Sequence, residues 1–415
     1  MRRASCLVLI IVGLLWSLPA FADGNTSELE RRLDILSEEV DQLRASGSSG
    51  QKDADRVRIH GYGEMHFNAD LGANGSTTID NHRYVIGLHA KLTDWIHLNG
   101  EIDFEHAAQE LEFELAYLDF LISSDFNVRV GVMLLPVGFL NEFHEPPLFW
   151  TVERPELQSK IIPTTWSGAG AGAFGSLMDG VNYRLYMVNS VQSLRATGFS
   201  SGSGNGSGGS SGQFKGSSGI RSGRLQINEA IAENFAGVGR VEFTKLYPGL
   251  QVGFSAYYGN TTHEIISEGG AMLLLEADVR YRWKWFEMNS TIVNIDIDDA
   301  AAINTFCASA SGDCTSDVAD NIFGWNIQAG VHLPQLMGIK TTQDMVPFLL
   351  YENIRPQDSM PSGTAPSHVN NFEVITAGVA YLPIDSVSIK LDYQHFMYRN
   401  NTSKDVLNMG VAYMF

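Results

Sequence analysis

From Arg56 onward the chain alternates with a period of two, and one face of the alternation is charged. Ile59, Gly61, Gly63, Met65 and Phe67 interleave with Arg58, His60, Tyr62, Glu64 and His66. Tyr84, Ile86, Leu88 and Ala90 interleave with Arg83, Gly87, His89 and Lys91. Ile96, Leu98, Gly100, Ile102 and Phe104 interleave with His97, Asn99, Glu101, Asp103 and Glu105, and Ala277, Val279, Tyr281 and Trp283 with Glu276, Asp278, Arg280, Arg282 and Lys284. Period two means strands whose successive side chains leave on opposite faces. Repeated ionisable faces on strands this long do not suit a sandwich, where the buried face is apolar. They suit strands that are apolar outside and polar inside, as in a closed barrel crossing a membrane.

The amino terminus is consistent with that destination. Arg2 and Arg3, the apolar run Leu7 to Leu18 and Ala20-Phe21-Ala22 have the three parts of a secretory signal, so residues 1–22 are expected to be removed, with Cys6 among them. No later apolar stretch is long enough for a membrane helix, which leaves a barrel as the way to span a bilayer. The formal net charge is −19 and becomes more negative when Arg2 and Arg3 leave. Such acidity argues against a nucleic-acid partner. Two cysteines remain, Cys307 and Cys314, in CASASGDC. In an exported chain they are expected to form a disulfide; a metal site is the other reading, with only Asp313 and Asp317 close by.

Residues 23–46 read as a helix. Leu29, Leu33, Leu36, Val40 and Leu43 step by four and three, which is a heptad seam, and Ser27 with Glu30 fits a capping box. The seam predicts a short coiled coil that works with a larger oligomer interface; an amphipathic helix lying on the protein's own surface is the other reading. Residues 47–55 are a polar linker, and 56–415 form the barrel. About sixteen strand-like runs fit, with two of unclear phase: 110–123, and the glycine-rich WSGAGAGAFGSLM at 166–178. The long polar connections are 190–223, 261–270, 299–320 and 355–370; 190–223 contains a Gly/Ser run with no evident ligand chemistry.

One connection differs from the rest. After the alternating strand Val128, Val130, Val132, the chain meets Pro136, Pro146, Pro147, Pro155 and Pro163, interspersed with Phe139, Phe143, Phe149 and Trp150 and with charge. Prolines forbid a regular strand or helix interior, and the aromatic content argues against disorder. The expectation is a loop folded into the barrel. Glu142, His144, Glu145, Glu153 and Arg154 are its candidates for a pore constriction, with its carboxylates opposite basic wall residues. The competing reading is that they tie the loop to the wall or to a neighbouring subunit. His144 beside Glu145 has too few companions for a metal site.

The terminal run VLNMGVAYMF places Leu407, Met409, Val411, Tyr413 and Phe415 on one face and resembles the carboxy-terminal insertion signal of bacterial outer-membrane barrels. The segment RVGVMLLPVGFLNEFHEPPLFWTVERPELQSKIIPTTW resembles the phosphate-selective porin O and P family. That resemblance implies a homotrimeric sixteen-strand porin in outer-membrane lipid, with inward-folded loops, a periplasmic amino-terminal helix, passive passage of small hydrophilic solutes, and no cofactor. Arg58, Lys91, Arg129, Arg280, Arg282 and Lys284 are the candidate basic pore lining. Glu64, Glu101, Asp103, Glu105, Glu112, Glu114, Glu276 and Asp278 share the same faces, so no arginine ladder maps residue by residue. No phosphate-binding glycine loop, haem motif or Ser/His/Asp set supports an enzyme. The alternative to a porin is an all-β scaffold barrel whose coiled coil binds a periplasmic partner.

Overall fold

The structure is a computed structural model that describes residues 56–197, 213–225, 227, 230–267 and 269–415. The heptad seam Leu29, Leu33, Leu36, Val40, Leu43 and the signal and linker segments lie outside the described residues. Sixteen antiparallel strands close into one barrel, each paired with its neighbours in sequence and β1 with β16. The first half is β1 (Val57–Asp70), β2 (Thr77–Lys91), β3 (Ile96–Glu105), β4 (Glu110–Leu121), β5 (Asn127–Leu134), β6 (Ser167–Met178), β7 (Val181–Asn189) and β8 (Phe235–Tyr247). The second is β9 (Leu250–Asn260), β10 (Ala271–Trp283), β11 (Phe286–Ile297), β12 (Asn321–Val331), β13 (Asp344–Ser359), β14 (Phe372–Ile384), β15 (Val387–Tyr398) and β16 (Ser403–Met414). Closure removes the edge strands, whose unpaired amides could not exist in lipid.

The alternation sets which face meets what. Ile59, Met65, Tyr84, Ile86, Leu88, Leu273, Leu275, Met409, Val411 and Tyr413 point outward and are exposed, an apolar belt of the kind a bilayer covers. Their neighbours Glu64, Arg83, Asp103, Glu276, Asp278 and Arg280 point inward and are buried. Both strands of unclear phase have a structural explanation. In β4 a bulge falls opposite Glu101 and Ile102, so Glu114 and Leu115 share one step of the ladder and the alternation changes phase there. In β6, Gly170 and Gly172 face inward opposite Val188 and Tyr186, and a Cβ on Gly172 would stand 2.3 Å from the Tyr186 ring. The glycines make room for the neighbouring strand's side chains.

One end has the turns 92–95, 122–126, 179–180, 248–249, 284–285 and 385–386 with the longer connection 332–343, and the other end carries the inner loop 135–166, the connection after β7 and 298–320. Lys284 belongs to such a turn, past the end of β10, where it is exposed with φ of 52° and its Nζ lies 5.0 Å from the Trp283 ring. It therefore does not share the inward face of Arg280 and Arg282, because the strand ends at Trp283. The 355–370 connection is also shorter than its sequence suggests, since β13 continues to Ser359.

At the loop end the inner face of β10 to β16 is apolar. Met272, Leu274, Val293, Ile295, Ile322, Ile354, Val374, Phe396 and Val406 line the wall there and form one core with residues contributed by loops. Those are Leu157, Ile161, Ile162 and Trp166 from loop 135–166, Phe214 and Ile220 from the connection after β7, and Ile303 and Val318 from 298–320. Cys307 and Cys314 are joined by a disulfide within 298–320.

Candidate functional site: the lumen constriction

Loop 135–166 lies inside the barrel and makes contacts around most of its circumference. It leaves β5, and the Gly138 amide donates to Ser255 Oγ on β9 and Glu276 Oε2 on β10, both at 3.2 Å. Gly138 has φ of 70°, a conformation that glycine adopts without a Cβ penalty. A single helical turn, Phe139–Glu142, follows, and Glu142 meets Arg184 of β7 at 3.0 Å. His144 then reaches β1 and β4, with Nε2 2.8 Å from the Tyr62 hydroxyl and 3.1 Å from Glu114.

Pro146 and Pro147 open a 3₁₀ turn, a position where the missing amide costs nothing. The turn delivers Trp150 onto Phe348 and Val346 of β13. Lys390 of β15 donates to the carbonyls of Pro146 and Thr151, and Asp392 accepts the Val152 amide at 2.6 Å. Glu153 returns to β1, 2.9 Å from His66 Nδ1. Glu352 of β13 takes the amides of Glu156 and Leu157, and Gln158 accepts from the Asn326 amide on β12. Polar wall side chains thus satisfy backbone groups that a buried loop could not leave bare.

The constriction candidates fall on this loop as follows. Glu142, His144 and Glu153 each contact a named wall residue, as above. Glu145 is half-buried at the start of the 3₁₀ turn. Arg154 donates to the His144 carbonyl at 3.4 Å, and its charge is felt at Asp103 and Glu114 on the wall.

Two loop arginines that sequence reading passed over stand beside it. Arg221 donates to Ser159 Oγ at 2.9 Å, and Arg224 to the Thr164 carbonyl and to Thr165 Oγ1. Both come from the connection after β7, whose Gly/Ser run drew attention away from them. Arg224 interacts electrostatically with Glu112 and Glu105, and Arg221 with Glu105. Burial, with Arg224 and Arg154 nearby, pulls the Arg221 guanidinium down to about 10, so it stays charged at neutral pH.

The carboxylates sit on the wall. Glu101, Asp103, Glu105, Glu112 and Glu114 share β3 and β4, with Arg83 among them at 2.9 Å from Glu105, 3.4 Å from Glu114, 3.6 Å from Asp103 and 3.2 Å from Glu64. The polarity is mixed: Glu142 faces Arg184 of the wall, in the sense the sequence suggests, whereas beside β3 and β4 the loops bring guanidinium groups and the wall brings carboxylates. Around the barrel the other basic candidates are locally paired. Arg129 grips Asp119 through two bonds of 2.8 and 2.9 Å. Arg280 meets Glu242 at 3.2 Å and lies over Phe139, and Arg282 is 3.5 Å from Glu287. Arg240, completely enclosed, contacts Glu242, Glu276 and Asp278. Arg58 and Lys91 stand near the turn end of β1 and β2, paired in register with His89 and His97.

An uncharacterized protein of Aquifex aeolicus (strain VF5) is 30% identical over 371 residues, covering 86% of this chain and 80% of its own length. No protein-family model matches the chain. Among solved structures, the high-pH structure of Pseudomonas putida OprB superposes with a TM-score of 0.55 at 7% identity, covering 87% of this chain and 95% of that one. The outer membrane channel DcaP of Acinetobacter baumannii gives 0.54 at 10% identity, over 89% and 100%. An anion-selective porin from Comamonas acidovorans gives 0.53 at 9% identity, over 86% and 99%. At these identities the likeness is one of fold.

Proposed function

We propose that this chain, which belongs to the same family as the Aquifex aeolicus protein, is a bacterial outer-membrane porin through which small hydrophilic solutes and ions diffuse down their gradients. The observation that carries the reading is loop 135–166, held inside a closed sixteen-strand barrel and narrowing a charged lumen. A barrel of this strand number leaves an aqueous channel unless loops fill it. The loops fill the apolar side, so the remaining path runs along β1 to β4, between the wall carboxylates and Arg154, Arg221 and Arg224. Opposed charges across a narrow gap orient and sort solutes by charge and width.

The resemblance of residues 128–166 to phosphate-selective porins O and P supports the loop architecture. It does not extend to phosphate, because the wall at the gap is acidic. Trimerisation through Leu29, Leu33, Leu36, Val40 and Leu43, with that helix in the periplasm, completes the proposal.

A plugged scaffold barrel is the second reading, and the loop core formed by Leu157, Ile161, Phe214 and Ile303 favours it. Planar-bilayer recording separates the two. Discrete conductance steps, with a reversal potential measured in a potassium chloride gradient and again with phosphate, support the porin. A chain that inserts but never conducts supports the scaffold.

A further inference from the structure

One cluster at the loop end of the barrel has no part in the proposed constriction. On β2, Asp80 pairs with His66 and Arg83 with Glu64, which leaves Asn81 and His82 together opposite Met65 as a bulge. The His82 ring stacks on His66, centroids 4.7 Å apart and 14° from parallel. The β3–β4 loop folds back onto the bulge, with the His106 amide donating to the His82 carbonyl at 3.0 Å and the Ala107 amide to Asn81 at 3.1 Å. Asp80 Oδ2 is then 2.7 Å from His106 Nδ1 and 3.1 Å from His82 Nδ1. The ligand atoms of all three residues lie within 4.8 Å of one another.

The backbone is strained to achieve this. His106, Ala107 and Ala108 have φ of 50°, 57° and 67°, three successive non-glycine residues in the left-handed region. In that conformation each Cβ crowds the following carbonyl oxygen, so L-residues avoid it. Partly exposed histidine–carboxylate contacts are weak in water, so the contacts to Asp80 do not offset three such residues. Strain of this kind collects where a backbone is shaped for binding.

We propose that Asp80, His82 and His106 bind a divalent transition-metal ion of the zinc type at the outer mouth of the barrel. Two imidazole nitrogens and one carboxylate oxygen suit such ions over magnesium or calcium, which want oxygen. Tetrahedral ligands about 2.0–2.1 Å from zinc stand roughly 3.3 Å apart, close to the spacing of these donors. Three protein ligands leave a position open to water or to a passing solute. His66 supports the site from below and links it to the inner loop through Glu153, 2.9 Å away. A second group, Glu101, Glu114 and His144, also brings ligand atoms together. It is the poorer candidate, because the Arg83 cation lies 3.4 Å from Glu114 and the Tyr62 hydroxyl already bonds both Glu114 and His144.

The test is zinc titration calorimetry on the full chain in detergent after chelator treatment, with the visible spectrum of the cobalt-loaded protein alongside. The expected result is saturable binding with tetrahedral cobalt bands, weakened roughly tenfold or more in Asp80→Asn and in His106→Gln. His395→Gln, which removes a histidine–aspartate pair between β15 and β16, should leave both readouts unchanged. Should Asp80→Asn fail to fold, His106→Gln, in a partly exposed turn, carries the comparison. Absence of saturable zinc binding by the natural chain, or full affinity in His106→Gln, overturns the assignment. Neither readout needs conductance, so this site and the channel reading fail independently.

Discussion

Lys390 Nζ, on β15, donates to the Thr151 carbonyl across 2.8 Å in the middle of the barrel. The same ammonium donates to Pro146 at 2.7 Å and lies 3.9 Å from the Phe149 ring. One wall cation therefore closes the tip of the inner loop. Lys390→Met keeps the stem and removes the donors, leaving two buried carbonyls bare. Bonds from a charged donor are worth about 1.5–3 kcal/mol each. The loop tip should detach while the barrel persists, because the ladder does not involve the side chain. Single-channel recording should show higher conductance and more flicker than the natural chain. Unchanged conductance would mean that the tip lies off the conducting path.

The disulfide acts elsewhere. Cys307 ends the helix Ala300–Cys307, and Cys314 lies on the segment that bridges Ala196 through Gly312. The Asp313 amide also donates to the Arg195 carbonyl at 2.9 Å. The crosslink thus closes 298–320 on itself and braces the stretch that pairs with Arg195 and Ala196. Closing so short a loop contributes roughly 2–3 kcal/mol. Reduction, or Cys307→Ser with Cys314→Ser, should speed proteolysis within 298–320 and leave the migration of the folded barrel on unheated gels unchanged. Loss of that folded band would show that the loops help to fold the wall.

The wall was legible in the sequence because period two survives wherever one face meets lipid. Ile59 to Phe67 and Leu407 to Phe415 needed no structure to place. Legibility failed at Glu114, where a bulge changes the phase, and no local residue type announces a bulge of this kind. It also failed at Met272, Leu274, Val293 and Ile295. An apolar residue on a lumen face looks like an error in the alternation until a loop is known to pack there. The inner loop was visible as an anomaly of proline, aromatics and charge, yet the cations that face β3 and β4 were not. Which side carries the cations depends on Arg221 and Arg224, which are distant in sequence and follow a low-complexity run. His82 and His106 were missed for a related reason: their meeting depends on a bulge and on three left-handed residues.

Glu153 gives the inner loop a pH response. It meets His66 and Asn68, each at 2.9 Å. Burial by itself would raise its carboxyl, but the His66 hydrogen bond and charge outweigh burial and hold it below the ordinary range. With the folded value depressed, the stabilisation is complete above the unfolded value of about 4.3 and fades as pH falls through the folded value. The loop should stay tied at neutral pH and loosen only below about pH 4. Stepwise acidification during bilayer recording should add flicker in that window. Glu153→Gln should flicker already at neutral pH and change little on acidification. An acid step that survives in Glu153→Gln would assign the response to another carboxylate.

Selectivity turns on which side of the gap can be altered without collapse. Arg224 interacts with Glu112 and Glu105 across the gap and is anchored to the inner loop at Thr165, 3.0 Å away. Arg224→Gln removes a charge and keeps a donor for that anchor, and Arg221→Gln does the same beside Ser159. The double variant leaves the carboxylates of β3 and β4 with Arg154 opposite and Arg83 among them, so the passage becomes more acidic. In a potassium chloride gradient its reversal potential should move toward cations. Glu105→Gln with Glu112→Gln should move it the opposite way. The shifts should shrink as salt rises, because at about 1 M the screening length falls to roughly 3 Å, less than the width of a hydrated path. Identical reversal potentials in both double variants would place the conducting path away from this gap. The apolar loop packing on the far side would then have to be the part that opens.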